Sequence, residues 1–416
     1  MAVNGSAGGR AYTHALAPDT TAKIVIALQV SGHLRNLCFW REKTFHPLED
    51  AVRSCRRHAT CLVFVHTWAE LHPPASASPC SKNHAWCRHR EDASISLLEA
   101  SDACAEEVHA RLQPSAVLIE AQASTLKGDG VVPRFAGQWF YRGLSNHTGS
   151  MWHWNRTAAE HTELPAAGVR AMWHGMTAVS HLRRAHCSLF GCGAAADSVT
   201  MVVRMRPDLY SSSAVPNKFL RQLHMGPTAR KWATAWGVPS WEAVVRHAHS
   251  LLSHPLEPAG RGSAGEQQHG ASPKGNASSG PHEYHRQARN VFSCSRKELP
   301  ADKGHDVCFW GTARNMDRLM GTLDDMADDA LWANICWHSY VHRTAGDGTS
   351  TARRDQAAGR SRIRAAAAEV PAPCVAWAQL APPSAPRYCD ETYGCLVEQV
   401  VAEAITQSGL KREPMP

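Results

Sequence analysis

The chain has 416 residues, of which 44% are hydrophobic and 19% are charged, and its formal net charge is +7 with histidine neutral. This composition can bury a sizeable core and excludes a coiled coil or a highly charged disordered chain. The sequence contains no run of about eighteen apolar residues, so we expect no transmembrane segment. The mild positive charge suits a phosphorylated ligand but is too weak for a dedicated nucleic-acid binder, so we expect no nucleic-acid partner.

The predicted elements of the first half alternate between strand and helix. After residues 1–22, which are rich in small residues and predict a flexible lead-in, the apolar run 23–30 is typical of a buried parallel strand. Residues 61–65 and 116–120 are two further strand candidates, and helical spacing over 97–112 separates them. Strand, helix and strand in alternation predict an α/β fold with a mostly parallel sheet flanked by helices.

The second half continues the same alternation. Apolar residues recur every three or four positions over 165–184, which predicts a helix whose Met and Trp side chains pack in the core. Strands are predicted over 199–203 and 306–311, and helices over 316–337 and 396–405.

Cysteine and asparagine usage bears on the cellular compartment. The chain has 14 cysteines. Close pairs are formed by Cys55 and Cys61, Cys80 and Cys87, Cys187 and Cys192, and Cys389 and Cys395. Asn-x-Ser/Thr triplets begin at Asn4, Asn146, Asn155 and Asn276. Together they favour disulfides and a glycosylating compartment such as the Golgi or another secretory lumen. The N-terminus shows no apolar signal-peptide core, so a cytoplasmic location with reduced cysteines stays open.

Polar or aromatic residues, together with one glycine, follow three of the predicted strands. They are Ser31, Gly32 and Arg35 after the first, His66, Thr67 and Trp68 after the second, and Arg204, Arg206 and Asp208 after the fourth. Ligands of open α/β sheets bind beyond the carboxyl ends of the strands. These residues therefore predict a nucleotide crevice, in which the two arginines grip a diphosphate or Asp208 holds a divalent cation. Ordinary loop contacts are the alternative for each strand end taken alone.

These strand ends carry a family resemblance. The chain resembles a group of glycosyltransferase-like proteins that have the patterns I-S-G-x-x-R, F-I-H-T-W and R-x-R-P-D. The matching segments are 27–35 (ALQVSGHLR), 63–68 (VFVHTW) and 202–209 (VVRMRPDL), followed by 306–311 and Met316-Asp317. The resemblance implies a GT-A-like, Rossmann-like fold. It also implies transfer of a sugar from a nucleotide-sugar donor to a glycan or another hydroxyl acceptor.

The sequence departs from the GT-A pattern at the metal site. That fold uses a D-x-D motif to hold a divalent cation and the donor diphosphate, whereas the equivalent place here reads Arg206-Pro207-Asp208. Either Asp208 binds Mn²⁺ or Mg²⁺, or Arg204 and Arg206 neutralise the diphosphate without metal. For an inverting mechanism the candidate catalytic bases are Asp306 and Asp317, although Asp317 also suits a structural place near a helix start. A retaining mechanism stays open.

The resemblance places one GT-A-like catalytic domain over residues 23–343. A Gly-, Pro- and Ser-rich insertion is predicted within it at 252–283, a flexible Arg- and Ala-rich segment at 344–373, and a C-terminal helical tail at 374–416. Acidic residues 324, 325, 328 and 329 are interpreted as a solvated helix face. Two alternative functions remain. One is an inactive nucleotide- or sugar-binding protein of the same fold, and the other is an adaptor stabilised by zinc on Cys80, His84, Cys87 and His89.

Overall fold

A computed structural model describes residues 10–13, 24–32, 41–69, 97–141, 163–192, 199–206, 240–253, 290–294, 308–344, 374 and 397–413. Within these ranges the strands are β1 (Arg10–Thr13), β2 (Ile24–Ser31), β3 (Thr60–Trp68), β4 (Ala116–Glu120), β5 (Trp139–Tyr141), β6 (Glu163–Pro165), β7 (Val199–Met205), β8 (Asn290–Ser293), β9 (Cys308–Thr312) and β10 (Lys411–Glu413). The helices are α1 (Arg41–His58), α2 (Leu97–Leu112), α3 (Gln122–Gly128), α4 (Val131–Phe135), α5 (Ala166–Phe190), α6 (Trp241–Ser253), α7 (Ala313–Thr344) and α8 (Val397–Gln407).

The main sheet of the described chain has eight strands in the order β1-β4-β3-β2-β7-β9-β8-β10. Its centre, β4-β3-β2-β7, is parallel, whereas β1 and β9 are antiparallel to their central neighbours. The chain builds outward from β2 to β3 and β4, then returns to add β7 on the other side of β2. The connections from β2 and from β4 therefore run to opposite sides of β2, so the strand order reverses between β2 and β7. Open α/β sheets bind ligands at the carboxyl ends of strands at such a reversal. The predicted α/β class with a mostly parallel, helix-flanked sheet is confirmed.

Both faces of the sheet are buried, and alternate strand residues serve each face. Val25, Phe64 and Val202 share one core with α5 and α7. Val63 and Val203 share the other core with α1, α2 and α6. Because β2 is covered on both sides, all eight of its residues are buried, which explains its continuous apolar run.

The helix predicted over 165–184 is α5, and its apolar stripe packs in the core as predicted. Val169, Trp173, Met176 and Val179 are all buried against the sheet and α7. The helix continues to Phe190, six residues past the predicted end at Arg184.

Several short elements were not included in the sequence prediction. Strand β1 lies within the predicted lead-in and pairs antiparallel with β4, and β10 lies within the predicted helical tail and pairs in parallel with β8. Both are edge strands of three or four residues held by backbone hydrogen bonds, so their side chains show no alternation that a sequence pattern detects. The short β8 and the helix α6 were also not predicted. Residues 254–289 and 345–373, which contain most of the predicted insertion and flexible segment, lie outside the described residues.

The predicted disulfides form at two of the close cysteine pairs. Cys55–Cys61 joins the end of α1 to the start of β3, and Cys187–Cys192 closes the end of α5. Two more bridges, Cys294–Cys308 and Cys336–Cys374, join cysteines that are 14 and 38 residues apart. The other two close pairs and the four Asn-x-Ser/Thr triplets lie outside the described residues. None of the described helices has a stretch long and apolar enough to cross a lipid bilayer.

The acidic face of α7 is an interface with α5 and α4 rather than a purely solvated surface. Arg170 of α5 lies 3.1 Å from a carboxylate oxygen of Asp324 and 3.1 Å from one of Asp328. Arg134 of α4 also pairs with Asp328. Asp324, Asp325 and Asp329 are exposed, as the sequence interpretation expects, and only Asp328 is partly buried. The ion pairs were not foreseen, because Arg170 lies more than 150 residues away in the chain.

Candidate functional site

Polar side chains replace apolar ones at the carboxyl end of one sheet face. This polar layer consists of Gln29, Ser31, His66, Glu120 and Arg204, all of which are buried. Each lies an even number of residues after a core residue on its own strand, so all five face α5. Buried polar groups need partners, and α5 supplies several of them. The Ser180 hydroxyl, for example, donates a hydrogen bond of 3.2 Å to the Gln29 side-chain oxygen.

The centre of the polar layer is a His-Glu-His cluster formed by His66, Glu120 and His174. The Nε2 atoms of His66 and His174 lie 2.8 and 3.0 Å from the same atom, Oε2 of Glu120. Three elements supply the cluster, since His66 ends β3, Glu120 ends β4 and His174 lies in the third turn of α5. The potential ligand atoms of the three side chains all lie within 4.8 Å of one another.

Electrostatics keep the carboxyl of the cluster ionised. Burial by itself raises the pKa of Glu120, but the hydrogen bonds from His174 and His66 outweigh it and lower the pKa to about 2. Burial lowers the pKa of His66, against the opposing effect of Glu120. The lowered pKa of Glu120 and the lowered pKa of His66 both fit a neutral His66 whose Nε2–H donates to a Glu120 carboxylate.

Neighbouring side chains hold the histidine rings in place. The Trp68 ring stacks on His174 with centroids 5.5 Å apart and meets His66 edge-on at 4.9 Å. On the outer side, Nδ1 of His174 lies 3.4 Å from a carboxylate oxygen of Asp129, which follows α3. Both ring nitrogens of His174 therefore face carboxylates.

Gly175 allows α5 to approach the His66 ring. A Cβ at this position would lie 3.0 Å from Nδ1 and 3.2 Å from Cε1 of His66. Nδ1 of His66 faces this contact and has no hydrogen-bond partner within the described part of the chain.

The ends of β2 and β7 form the part of the site beside the strand-order reversal. Gly32 follows β2 with φ of 138°, a conformation that favours glycine, and its N–H donates to the His66 carbonyl at 3.3 Å. A guanidinium nitrogen of Arg204 lies 3.5 Å from the Ser31 hydroxyl, and the Phe309 ring lies 5.7 Å from its Cζ. Arg206, the residue directly after β7, is partly exposed.

The structure brings six predicted donor-binding residues to one edge of adjacent strands. They are Ser31, Gly32, Thr67, Trp68, Arg204 and Arg206. Ser31, Trp68 and Arg204 are buried in the polar layer or against it, whereas Thr67 is buried facing the opposite side of the sheet. Gly32 and Arg206 are the two of the six that retain exposure. Arg35, Asp208 and Asp306 lie outside the described residues.

The structure places Asp317 away from these residues. Thr312, at the end of β9, is opposite Met201 near the start of β7, so α7 begins beside the amino end of β7. Asp317 lies in the second turn of α7, where it forms an ion pair with the buried Arg183 of α5. This ion pair is a structural contact, which agrees with the structural alternative that the sequence left open for Asp317.

Sequence reasoning did not identify Glu120 or His174 as site residues. Glu120 gave one signal, since it is a carboxylate at the end of a predicted strand. His174 gave none, because the sequence does not distinguish a site histidine beside the apolar stripe of this helix from a histidine on its surface. His66, Glu120 and His174 are successively 54 residues apart in the chain, so no motif spacing relates them.

Comparisons of the chain with protein-family models, with curated proteins and with solved structures found no match. The fold and the site therefore define its class, which is an α/β protein with a mostly parallel mixed sheet and a polar site at the carboxyl edge of that sheet.

Proposed function

We propose that this protein is a glycosyltransferase that moves a sugar from a nucleotide-sugar donor to a hydroxyl acceptor. The observation that carries the proposal is the convergence of three motif segments at one edge of β3-β2-β7. These segments resemble those of glycosyltransferase-like proteins, and the strand order reverses between β2 and β7, where α/β proteins bind nucleotides. The disulfides are compatible with a location in an oxidising secretory lumen.

The described residues suit the binding of a diphosphate at this edge. Gly32 has no side chain and is partly exposed, so a ligand can approach its backbone closely. Arg206 supplies a guanidinium at the end of the neighbouring strand, where it can neutralise charge that develops on a leaving nucleoside diphosphate. Arg204 is buried at the same end of β7 and adds positive charge next to the proposed diphosphate position.

A donor panel tests the proposal. The purified chain is incubated with a set of nucleotide sugars, with and without Mn²⁺, and released nucleotide is measured together with donor binding. We expect turnover or hydrolysis of at least one donor. Binding without turnover would favour the inactive sugar- or nucleotide-binding alternative, and neither binding nor turnover would refute the proposal. Dependence on Mn²⁺ would support Asp208 as a metal ligand, and independence would support neutralisation by the arginines.

Two variants test the strand-end assignment. We expect Arg206→Ala to reduce donor turnover by tenfold or more, since a charge-assisted contact contributes about 1.5–3 kcal/mol. We expect Asp208→Ala to abolish turnover while the fold is retained, as measured by circular dichroism. Arg53→Ala is the matched control, because Arg53 is 63% exposed on α1 and pairs there with the exposed Asp50. Unchanged turnover in both site variants would contradict the assignment.

A further inference from the structure

We propose that His66, Glu120 and His174 bind a single zinc ion. Asp208, the cation ligand considered above, is not one of the three ligands, and the inference does not depend on the proposed transferase activity. Two imidazoles and one carboxylate are a ligand set that zinc uses in proteins, with a water or substrate atom as the fourth ligand.

The spacing of the three side chains fits one small cation. Ligand atoms about 2.0–2.2 Å from a tetrahedral zinc lie roughly 3.3–3.5 Å from one another. The two Nε2 atoms lie 2.8 and 3.0 Å from Glu120 Oε2, and no pair of ligand atoms exceeds 4.8 Å. Zinc binding therefore needs a small separation of these side chains and a shift of the His66 proton from Nε2 to Nδ1, after which the Nε2 lone pairs point to the metal.

The surroundings of the cluster resemble those of a metal centre. A ligating histidine commonly has a carboxylate at its other ring nitrogen, which orients the ring and raises its basicity. Asp129 occupies this place at 3.4 Å from Nδ1 of His174. Trp68 restricts the rotation of both rings, and the three ligands come from two strands and a packed helix, so their positions are set before a metal binds.

The burial of the cluster leaves one side for a fourth ligand. The His66 side chain is fully buried, whereas the side chains of Glu120 and His174 are 11% and 19% exposed. A cation at the cluster would be reached from the side of Glu120 and His174. A set of two nitrogens and one oxygen also favours zinc over Mg²⁺ or Ca²⁺, which prefer oxygen ligands.

Metal titration of the full chain tests the site. The protein is stripped with a chelator, then titrated with Zn²⁺, and separately with Mg²⁺, while bound metal and thermal stability are measured. We expect the wild type to bind Zn²⁺ at this site with an increase in Tm, and Mg²⁺ to bind at least tenfold more weakly. His174→Gln should lose this zinc. His181→Gln is the matched control, since His181 is an exposed histidine on the same helix.

A second variant separates loss of metal from loss of fold. Asp129→Asn leaves all three ligands in place, and we expect it to weaken zinc binding by about 10–100-fold. X-ray absorption at the zinc edge should show only nitrogen and oxygen ligands. Sulfur ligands would assign the zinc to the cysteines near Cys80 and overturn the proposal. Absence of zinc binding in the wild type, or equal binding in folded His174→Gln, would also overturn it.

Discussion

At the scale of single residues, His186 shows how a buried polar group makes stability depend on pH. It lies near the end of α5 between Phe64 and Phe190, with ring centroids 5.4 and 4.8 Å away. Neither ring nitrogen has a hydrogen-bond partner within the described residues, and burial lowers the pKa of His186 from its ordinary value of 6.5. Burial therefore favours the neutral form of this imidazole in the folded protein.

The sign of the effect follows from proton uptake. As the pH falls through about 6.5 the unfolded chain binds this proton before the folded chain does, so the free energy of unfolding falls with the pH. We expect the urea midpoint of the wild type to drop between about pH 7.5 and about pH 5.5 by more than that of His186→Leu. His249→Gln, at an exposed position of α6, should keep the wild-type drop. An equal drop in His186→Leu would contradict this assignment.

At the scale of elements, the approach of α5 to β3 depends on Gly175. The His66 ring cannot move away from an added methyl group, because Glu120 holds its Nε2 and Trp68 packs against it. We expect Gly175→Ala to lower the free energy of unfolding by about 1–3 kcal/mol, since the added methyl group would overpack the contact with the His66 ring. Urea unfolding measures this change.

Gly321 on α7 is the matched control for Gly175. Nothing lies within 4 Å of a Cβ built at Gly321, so alanine there adds only its better helix propensity. We expect Gly321→Ala to stabilise the protein by about 0.5–1 kcal/mol. If Gly175→Ala were stabilising by a similar amount, the His66 ring would not be held as tightly as its contacts indicate.

At the scale of the whole molecule, the disulfides differ in the length of chain that they close. Cys336–Cys374 spans 38 residues and Cys187–Cys192 spans 5. The entropy of loop closure predicts about 4 kcal/mol of stabilisation for the longer loop and about 2 kcal/mol for the shorter one. We expect the double variant Cys336→Ala/Cys374→Ala to unfold at lower urea than Cys187→Ala/Cys192→Ala. The reverse order would show that local packing outweighs chain entropy at these bridges.

Much of the architecture could be predicted from the sequence because buried elements have strong local patterns. The continuous apolar run of β2 and the three- to four-residue period of α5 both indicate burial. Strand β2 was placed within one residue of its bounds, and α5 was placed correctly except for its last six residues. Edge strands β1 and β10 were not predicted, since backbone pairing to β4 and β8 forms them and their side chains carry no comparable pattern.

The sequence by itself determined the α/β class, the position of the central strands along the chain and the polar strand ends at Ser31, His66 and Arg204. Each of these depends on residues that are neighbours in the chain. Only the tertiary structure decided that Glu120 and His174 join His66, and that Asp317 pairs with Arg183 away from them. The physical reason is that strand pairing and helix packing bring together side chains that are far apart in the chain.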